Sequence, residues 1–415
     1  MTGLAATLWG FLSNPRKSLV LRGLWALLTL YSRSVGLSRL KVLEVKSGVA
    51  EDAKRTVELY PEGPSICVDV DPAGPQTHVT GRAPLRAVHA YELESASVIE
   101  SHNFQAAVVG SFLCLPERNQ PGPWKIRAST GSKRDGNVIA QRHPLVVLRH
   151  SAKTTLGREP QAIFVGSRAP LVWAHWLANF LPSVFAARAL GDEYSDVPLL
   201  VPRSLPADDH WSTSLKIAAG ERRTIAFSGD RYEQFEKLIW IEPPVYDTPF
   251  SEQEPAGVFL HEKLMLDFRR TFHDYSQEAS SGLSLPKNIF LARRGNNKRT
   301  YNQTECIAVA KKMGFTPVYA EELSLADKIR LFRNAERIVG PGGSGFSNMI
   351  FAGPETRATC WWHKPLKSTD NFDLNLAALG GSKLSIVAES WTTTNNPHVE
   401  YRVDLGLLAQ GIEDM

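Results

Sequence analysis

The sequence predicts a mixed α/β fold: two successive units of parallel strands and helices behind a β-rich N-terminal region. Three observations point there. From residue 161 onward, short apolar runs alternate with segments of helical period. A Ser- and Gly-rich stretch at 276–286 divides that series in two. Before residue 160 the apolar runs are short and strand-like, separated by Pro, Gly and Asn. At 415 residues the chain is too long for one ordinary core and suits two or three domains.

The first 40 residues differ from the rest. Arg16, Lys17, Arg22, Arg33 and Arg39 occur there without an acidic residue, around apolar runs such as Leu24 to Leu28. Arg22 interrupts the apolar stretch, which is shorter than the roughly 20 residues a spanning helix needs. Two readings stay open: a basic amphipathic helix lying on an anionic membrane surface, or a helix covering the back of the first domain.

Region 41–160 reads as a β-rich accessory region, with strands expected at 65–70, 96–99, 106–115 and 146–148. The first α/β unit, 161–275, carries strands at 162–165, 197–201, 224–227 and 237–241, and helices at 172–190, 212–219 and 258–273. Residues 242–244 and the polar segment 248–255 look like a connector. The second unit, 286–385, has strands at 288–292, 315–319, 337–339 and 357–361, helices at 303–313 and 325–335, and a helical turn at 346–352. Residues 386–415 form a C-terminal extension. Strands and helices alternating at this pitch pair in parallel with right-handed crossovers. Two such units joined by a linker place a cleft between them, and ligands of open α/β sheets bind at the carboxyl ends of the strands.

Composition excludes several classes. Apolar residues at 43% and charged residues at 22% are those of a soluble globular protein. A net charge of +4 gives no concentrated basic face, so no nucleic-acid partner is expected. Cys67, Cys114, Cys306 and Cys360 are far apart, which suggests neither a zinc site nor a disulfide framework and fits a reducing cytosol.

Two clusters fall at the expected strand ends of the second unit. Arg293-Arg294-Gly295, followed by Lys298, Arg299 and Asn302, offers planar bidentate donors at a strand exit, which suits a diphosphate. Gly340-Pro341-Gly342-Gly343-Ser344-Gly345, running into Phe346-Ser347-Asn348, lets the backbone approach a ligand and presents free helix amides to phosphate. It is neither a Walker loop nor a dinucleotide fingerprint in its usual place. A third constellation is His175-Trp176 to Pro182. His175 and Asn179 lie four residues apart on one helical face. His175 is the candidate base and Asn179 a hydrogen-bonding group. The Asp208-Asp209-His210 run reads as a solvated loop. No Asp-x-Asp motif of the metal-nucleotide type stands at a strand end, so no metal is expected, with arginines and helix amides taking the diphosphate charge.

In chain order these elements are His175-Trp176 to Pro182, Arg293-Arg294-Gly295, Arg299, Asn302, Gly314-Phe315, Glu321-Glu322-Leu323-Ser324-Leu325, and the run from Gly340 to Phe351. The ordered set resembles glycosyltransferase family 61. The resemblance implies an inverting transferase of the two-Rossmann, GT-B-like type, usually without metal. Unit 161–275 would be acceptor-side, through Trp176 and Asn179, and unit 286–385 donor-binding. It implies donor contacts from Arg294, Arg299, Gly343 and Asn348, a nucleotide-sugar donor, a glycan or lipid-linked glycan acceptor, and no further cofactor. Bacterial relatives take part in capsular or other surface polysaccharide synthesis, which implies the cytoplasm or the inner face of the cell membrane. The chain departs from the family's pattern at Gly342, where many members have His, and at Asn179, near which many have an acid. Lys328 replaces the usual Gln and is expected at the surface. Two alternatives stay open: an inactive nucleotide-sugar-binding or scaffold subunit, and a polysaccharide pyruvyl transferase-like enzyme.

Overall fold

The computed structural model describes residues 40–47, 49–66, 68, 84–85, 87–100, 105–110, 112–115, 138–142, 145–149, 155–156, 159–166, 170–203, 205–227, 232–248, 257–279, 281–294, 300–362, 372–388 and 400–415. Segment 1–40, apart from Leu40, lies outside the described residues, as do Gly295, Lys298 and Arg299. Among the described residues no helix is long and apolar enough to cross a membrane.

The fold is mixed α/β. Twelve strands form one sheet. Its centre is the pairing of β1 (Val88–Glu100) with a strand far away in sequence. The other members used below are β2 (Gln161–Phe164), β3 (Leu199–Val201), β4 (Thr224–Ala226) and β5 (Tyr232–Ile241). These four lie in the order β4-β3-β2-β5, all parallel, which numbered within the unit is 3-2-1-4, the winding of a doubly wound α/β sheet. β5 then pairs antiparallel with β1 from Tyr232↔Ile99 to Ile241↔Ala90. The sheet therefore runs without a break from the α/β unit into the N-terminal region, through Gln105–Val109, Phe112–Leu115, Leu40–Ser47, Leu145–Arg149 and Val138–Arg142. A four-stranded antiparallel sheet joins Val245–Thr248, Gly257–His261, Gly63–Ile66 and Pro84–Leu85.

That small sheet corrects two sequence expectations. Residues 245–248 are a strand, which takes in the first residue of the expected connector 248–255. Residues 258–261 do not open a helix, because Val258-Phe259-Leu260 is a continuous apolar run that pairs with Val245–Thr248 along one edge and, from Leu260, with Gly63–Ile66 on the other. Helix α2 (Glu262–Glu278) begins only where His261 caps it, Nδ1 accepting from the Leu264 amide at 3.3 Å. It follows α1 (Asp209–Ala219) in the chain.

The third sheet has five parallel strands: β6 (Asn288–Leu291), β7 (Thr316–Val318), β8 (Arg337–Pro341), β9 (Arg357–Trp362) and β10 (Lys383–Ala388). Their spatial order is β7-β6-β8-β9-β10. Numbered within the unit this is 2-1-3-4-5, the flavodoxin-like winding, whose direction reverses between β6 and β8. The crossovers carry α3 (Gln303–Lys312), α4 (Leu325–Asn334), the 3-10 turn Phe346–Phe351 and α5 (Phe372–Leu379); α6 (Leu405–Glu413) packs on α3.

One apolar core crosses from the first α/β unit into the second. Phe268 and Phe272 of α2 lie 4.5 Å apart by ring centroid, and Phe272 stacks on Phe351 at 5.7 Å. α2 also secures the turn that carries Phe351. Arg269 donates to the Ile350 and Ala352 carbonyls at 2.9 and 2.8 Å, and His273 Nε2 to Phe351 O at 3.1 Å. These are the carbonyls a short helical turn leaves without a partner.

Candidate active site

The reversal between β6 and β8 is where a ligand crevice forms in such a sheet, and both predicted clusters leave the sheet there. β6 empties into Ala292-Arg293-Arg294, and β8 into Gly342-Gly343-Ser344. They touch. Arg293 Nη2 donates to Pro341 O at 3.4 Å and more closely to Gly342 O. Its backbone is gripped by Gln303 at the start of α3, whose Oε1 accepts from Arg293 N (2.8 Å) and whose Nε2 donates to Arg293 O (2.9 Å).

Arg294 points another way. Its amide donates to Glu321 Oε1 at 3.0 Å, its guanidinium lies 4.3 Å from the Tyr319 ring centroid, and it pairs with Glu322. With both side chains largely exposed, at 63% and 46%, this pair is weakly held.

The Gly-rich loop is built by steric demand. A Cβ at Gly340 would stand 2.7 Å from Leu291 O of the neighbouring strand. One at Gly342 would fall on the Trp362 indole. Gly343 adopts φ +144°, which side-chain-bearing residues rarely take. Gly345 abuts Leu291 and Ser344 is exposed. Asn348 is 1% exposed and its amide is spent inside the protein, Nδ2 donating to Gly345 O (2.8 Å) and Oδ1 accepting from Trp173 Nε1 (3.3 Å). Asn302 is not in this group. Its amide bonds the Val403 carbonyl (3.1 Å) and amide (2.8 Å), tying α3 to the C-terminal segment.

The predicted helix 172–190 is segmented: Trp173–His175 α-helical, Trp176–Phe180 a π-turn, Leu181–Ala186 α-helical again. Single π-turns inside helices concentrate at functional sites. Trp176, expected on the acceptor side, is instead fully buried: it stacks on Phe180 at 4.5 Å and donates to Ser214 Oγ at 2.9 Å. His175 is half-buried on the side of α5, its ring 6.4 Å from that of Phe372. Asn179 keeps a buried side-chain oxygen without a hydrogen-bond donor, as does the Ser347 hydroxyl in the turn the π-segment packs against.

Three groups that the sequence reading placed in solvent meet at this contact between the units. Asp208 caps α1, accepting from His210 N at 2.8 Å and pairing with His210 Nδ1. Burial pushes the Asp208 carboxyl up, but the His210 amide and ring, with Lys328, hold it below its ordinary value. His210, 8% exposed, donates from Nε2 to Leu323 O at 2.5 Å across the junction. Lys328 is 5% exposed, not a surface residue, and its ammonium lies 4.8 Å from the Trp173 ring centroid. Burial lowers its pKa to about 8 against the pull of Asp208 and Glu321. The signal was legible: Lys328 follows Leu325 by three residues and precedes Phe332 by four, inside the apolar stripe of α4. Among the described residues no His, Cys, Asp and Glu cluster suited to a metal ion is found.

All of these junction residues fall within 173–359, a segment that matches a family model of glycosyltransferases. The model is described as "Glycosyltransferase 61", the family that the ordered motifs resemble. No curated protein matches the chain.

Proposed function

We propose that the protein is an inverting, metal-independent glycosyltransferase of GT-B-like organisation. It moves a sugar from a nucleotide-sugar donor to a glycan or lipid-linked glycan acceptor in surface polysaccharide biosynthesis. The observation that supports this reading is the contact of Arg293 with the Gly342 carbonyl across the β6–β8 reversal, the position at which such a sheet takes its ligand.

In the reaction, an acceptor hydroxyl oxygen bonds to the anomeric carbon while the bond from that carbon to the diphosphate oxygen breaks. The hydroxyl proton passes to His175, and the bonding electron pair leaves with the nucleoside diphosphate. Arg293, Arg294 and Arg299 and the amides of Gly343, Ser344 and Gly345 take the charge that grows on the leaving group, the form of stabilisation that lowers the barrier most. Arg294 reaches the diphosphate by exchanging Glu322 for it.

Purified protein is assayed by calorimetry with UDP, GDP and CMP, and for sugar transfer and donor hydrolysis with the matching sugar nucleotides. One nucleotide should bind, and His175→Ala should keep that affinity while lowering kcat by about 10²–10⁴, the usual contribution of a general base. A protein that binds a sugar nucleotide but neither transfers nor hydrolyses it is a binding subunit, and binding of phosphoenolpyruvate in place of nucleotides indicates pyruvyl transfer; either result ends the proposal.

A further inference from the structure

Lys328 is a residue that folding alone does not explain. Lysines are almost never buried without a partner, since an ammonium removed from water loses strong hydration. Among the described residues its ammonium makes no hydrogen bond or ion pair; the Trp173 indole face is its neighbour. The two carboxylates that act on it are engaged elsewhere. Asp208 caps α1 and holds His210, and Glu321 accepts from the Arg294 amide. An indole face attracts a cation but accepts none of its three N–H bonds in the way an oxygen does.

Its position is also particular. Lys328 stands in the first turn of α4, at the carboxyl edge of the five-stranded sheet, where α4 meets α1 and the segmented helix. Trp173, on which it rests, is bonded through Asn348 to Gly345 of the Gly-rich loop. The ammonium is thus linked through two side chains, Trp173 and Asn348, to the loop that the proposed donor occupies. Nearby, the Ser347 hydroxyl is fully buried with no hydrogen-bond partner, a second polar group whose satisfaction the protein does not supply.

We propose that Lys328, seated on Trp173 at the junction of the two α/β units, is a further substrate-binding cation that takes a phosphate oxygen of the donor's diphosphate. The inference rests on the donor-site reading above and adds a group to it. It also accounts for the arginines' arrangement: Arg293 is occupied with loop carbonyls and Arg294 with Glu322, so a cation whose N–H bonds lack acceptors completes the neutralisation of the leaving group. A lysine serves here as a compact point charge, able to follow the phosphate as the glycosidic bond breaks.

The test compares wild type, Lys328→Met and Lys328→Gln in calorimetry with UDP, GDP and inorganic pyrophosphate, alongside thermal unfolding. The expected result is at least ten-fold weaker binding of the preferred diphosphate and of pyrophosphate to both variants. Their Tm should be unchanged or higher, because an uncompensated buried charge has been removed. Wild-type affinity in the variants overturns the assignment while leaving the donor site standing. Weaker binding accompanied by a lowered Tm shows a packing role and overturns it as well. Failure of the wild-type protein to bind any of the three removes the donor-site reading and this inference together.

Discussion

Gly342→Ala tests how the loop is built. The added Cβ falls against Nε1 and Cδ1 of Trp362 and 3.2 Å from the Trp361 carbonyl oxygen. That carbonyl cannot yield, since Trp361 pairs with Pro341 and Val387 in the sheet and accepts the Gly342 amide at 2.9 Å. The indole must therefore turn away, and overpacking of this kind costs about 1–3 kcal/mol. In a Trp362→Ala background the obstacle is gone, so the same change should cost less than about 0.5 kcal/mol. The coupling between the two positions is then on the order of 1–2 kcal/mol, as expected for residues in contact. Urea unfolding of the four proteins, followed by circular dichroism and fluorescence, reads these differences from the midpoints and slopes. Calorimetry with the preferred nucleotide should show Gly342→Ala binding more weakly, because the loop shifts with the indole. Equal costs of Gly342→Ala in both backgrounds would show that Trp362 is not what excludes a side chain there, and the steric account of the loop would be wrong.

Further outcomes follow from neighbouring contacts. An exposed ion pair is worth about 0.2–1 kcal/mol, so Glu322→Ala should free Arg294 and tighten UDP or GDP binding by up to about five-fold. Arg294→Ala should raise donor KM and lower kcat; a weaker-binding Glu322→Ala protein would contradict the exchange. Asn302→Ala removes the bonds to Val403 and should destabilise the docking of α6 by about 1–2 kcal/mol with donor KM unchanged. A raised KM in a folded variant would return Asn302 to the donor site. Burial, with Arg269 and Arg333, lowers the His273 pKa to about 4. Folding therefore favours the neutral ring. The stabilisation is fully present above an unfolded-state pKa of about 6.5 and is lost as pH falls toward 4, on the order of 2 kcal/mol after allowance for solvent screening. His273→Gln keeps a donor for Phe351 O and should flatten the stability curve between those values; an unchanged slope assigns it to other groups.

The second α/β unit was readable in outline because its strands are buried on both faces. Ile289-Phe290-Leu291 and Ile338-Val339 are apolar runs that only a covered parallel sheet accommodates, and each opens into a loop rich in Gly or Arg. The strand order was not readable, since neither 2-1-3-4-5 nor its alternatives leave a mark on local periodicity. Val258-Phe259-Leu260 misled for a related reason: a short apolar run has no period that separates strand from helix start. At the site, types and clusters were legible but directions were not. Arg293 and Arg294 are adjacent in sequence, yet one braces the loop and the other turns to Tyr319 and Glu322. Trp176 was expected on the acceptor side beside His175, and the π-turn places it in the core. The burial of Lys328 and His210 arises from contact between units far apart in sequence, which a reading one helix at a time does not weigh.

The antiparallel seam between Tyr232–Ile241 and Val88–Glu100 governs how this enzyme can be cut down. The family match begins at residue 173, which invites a shortened version that dispenses with everything before it. Such a fragment would strip the ten-residue strand Tyr232–Ile241 of its partner on one edge, and of Gln161–Phe164 on the other. Leu238, Ile239 and Trp240, all at or below 1% exposure, would face water beside a row of unpaired amides and carbonyls, the template on which chains stack into aggregates. The N-terminal sheet thus acts as the chain's own edge guard, and a shortened version must retain it.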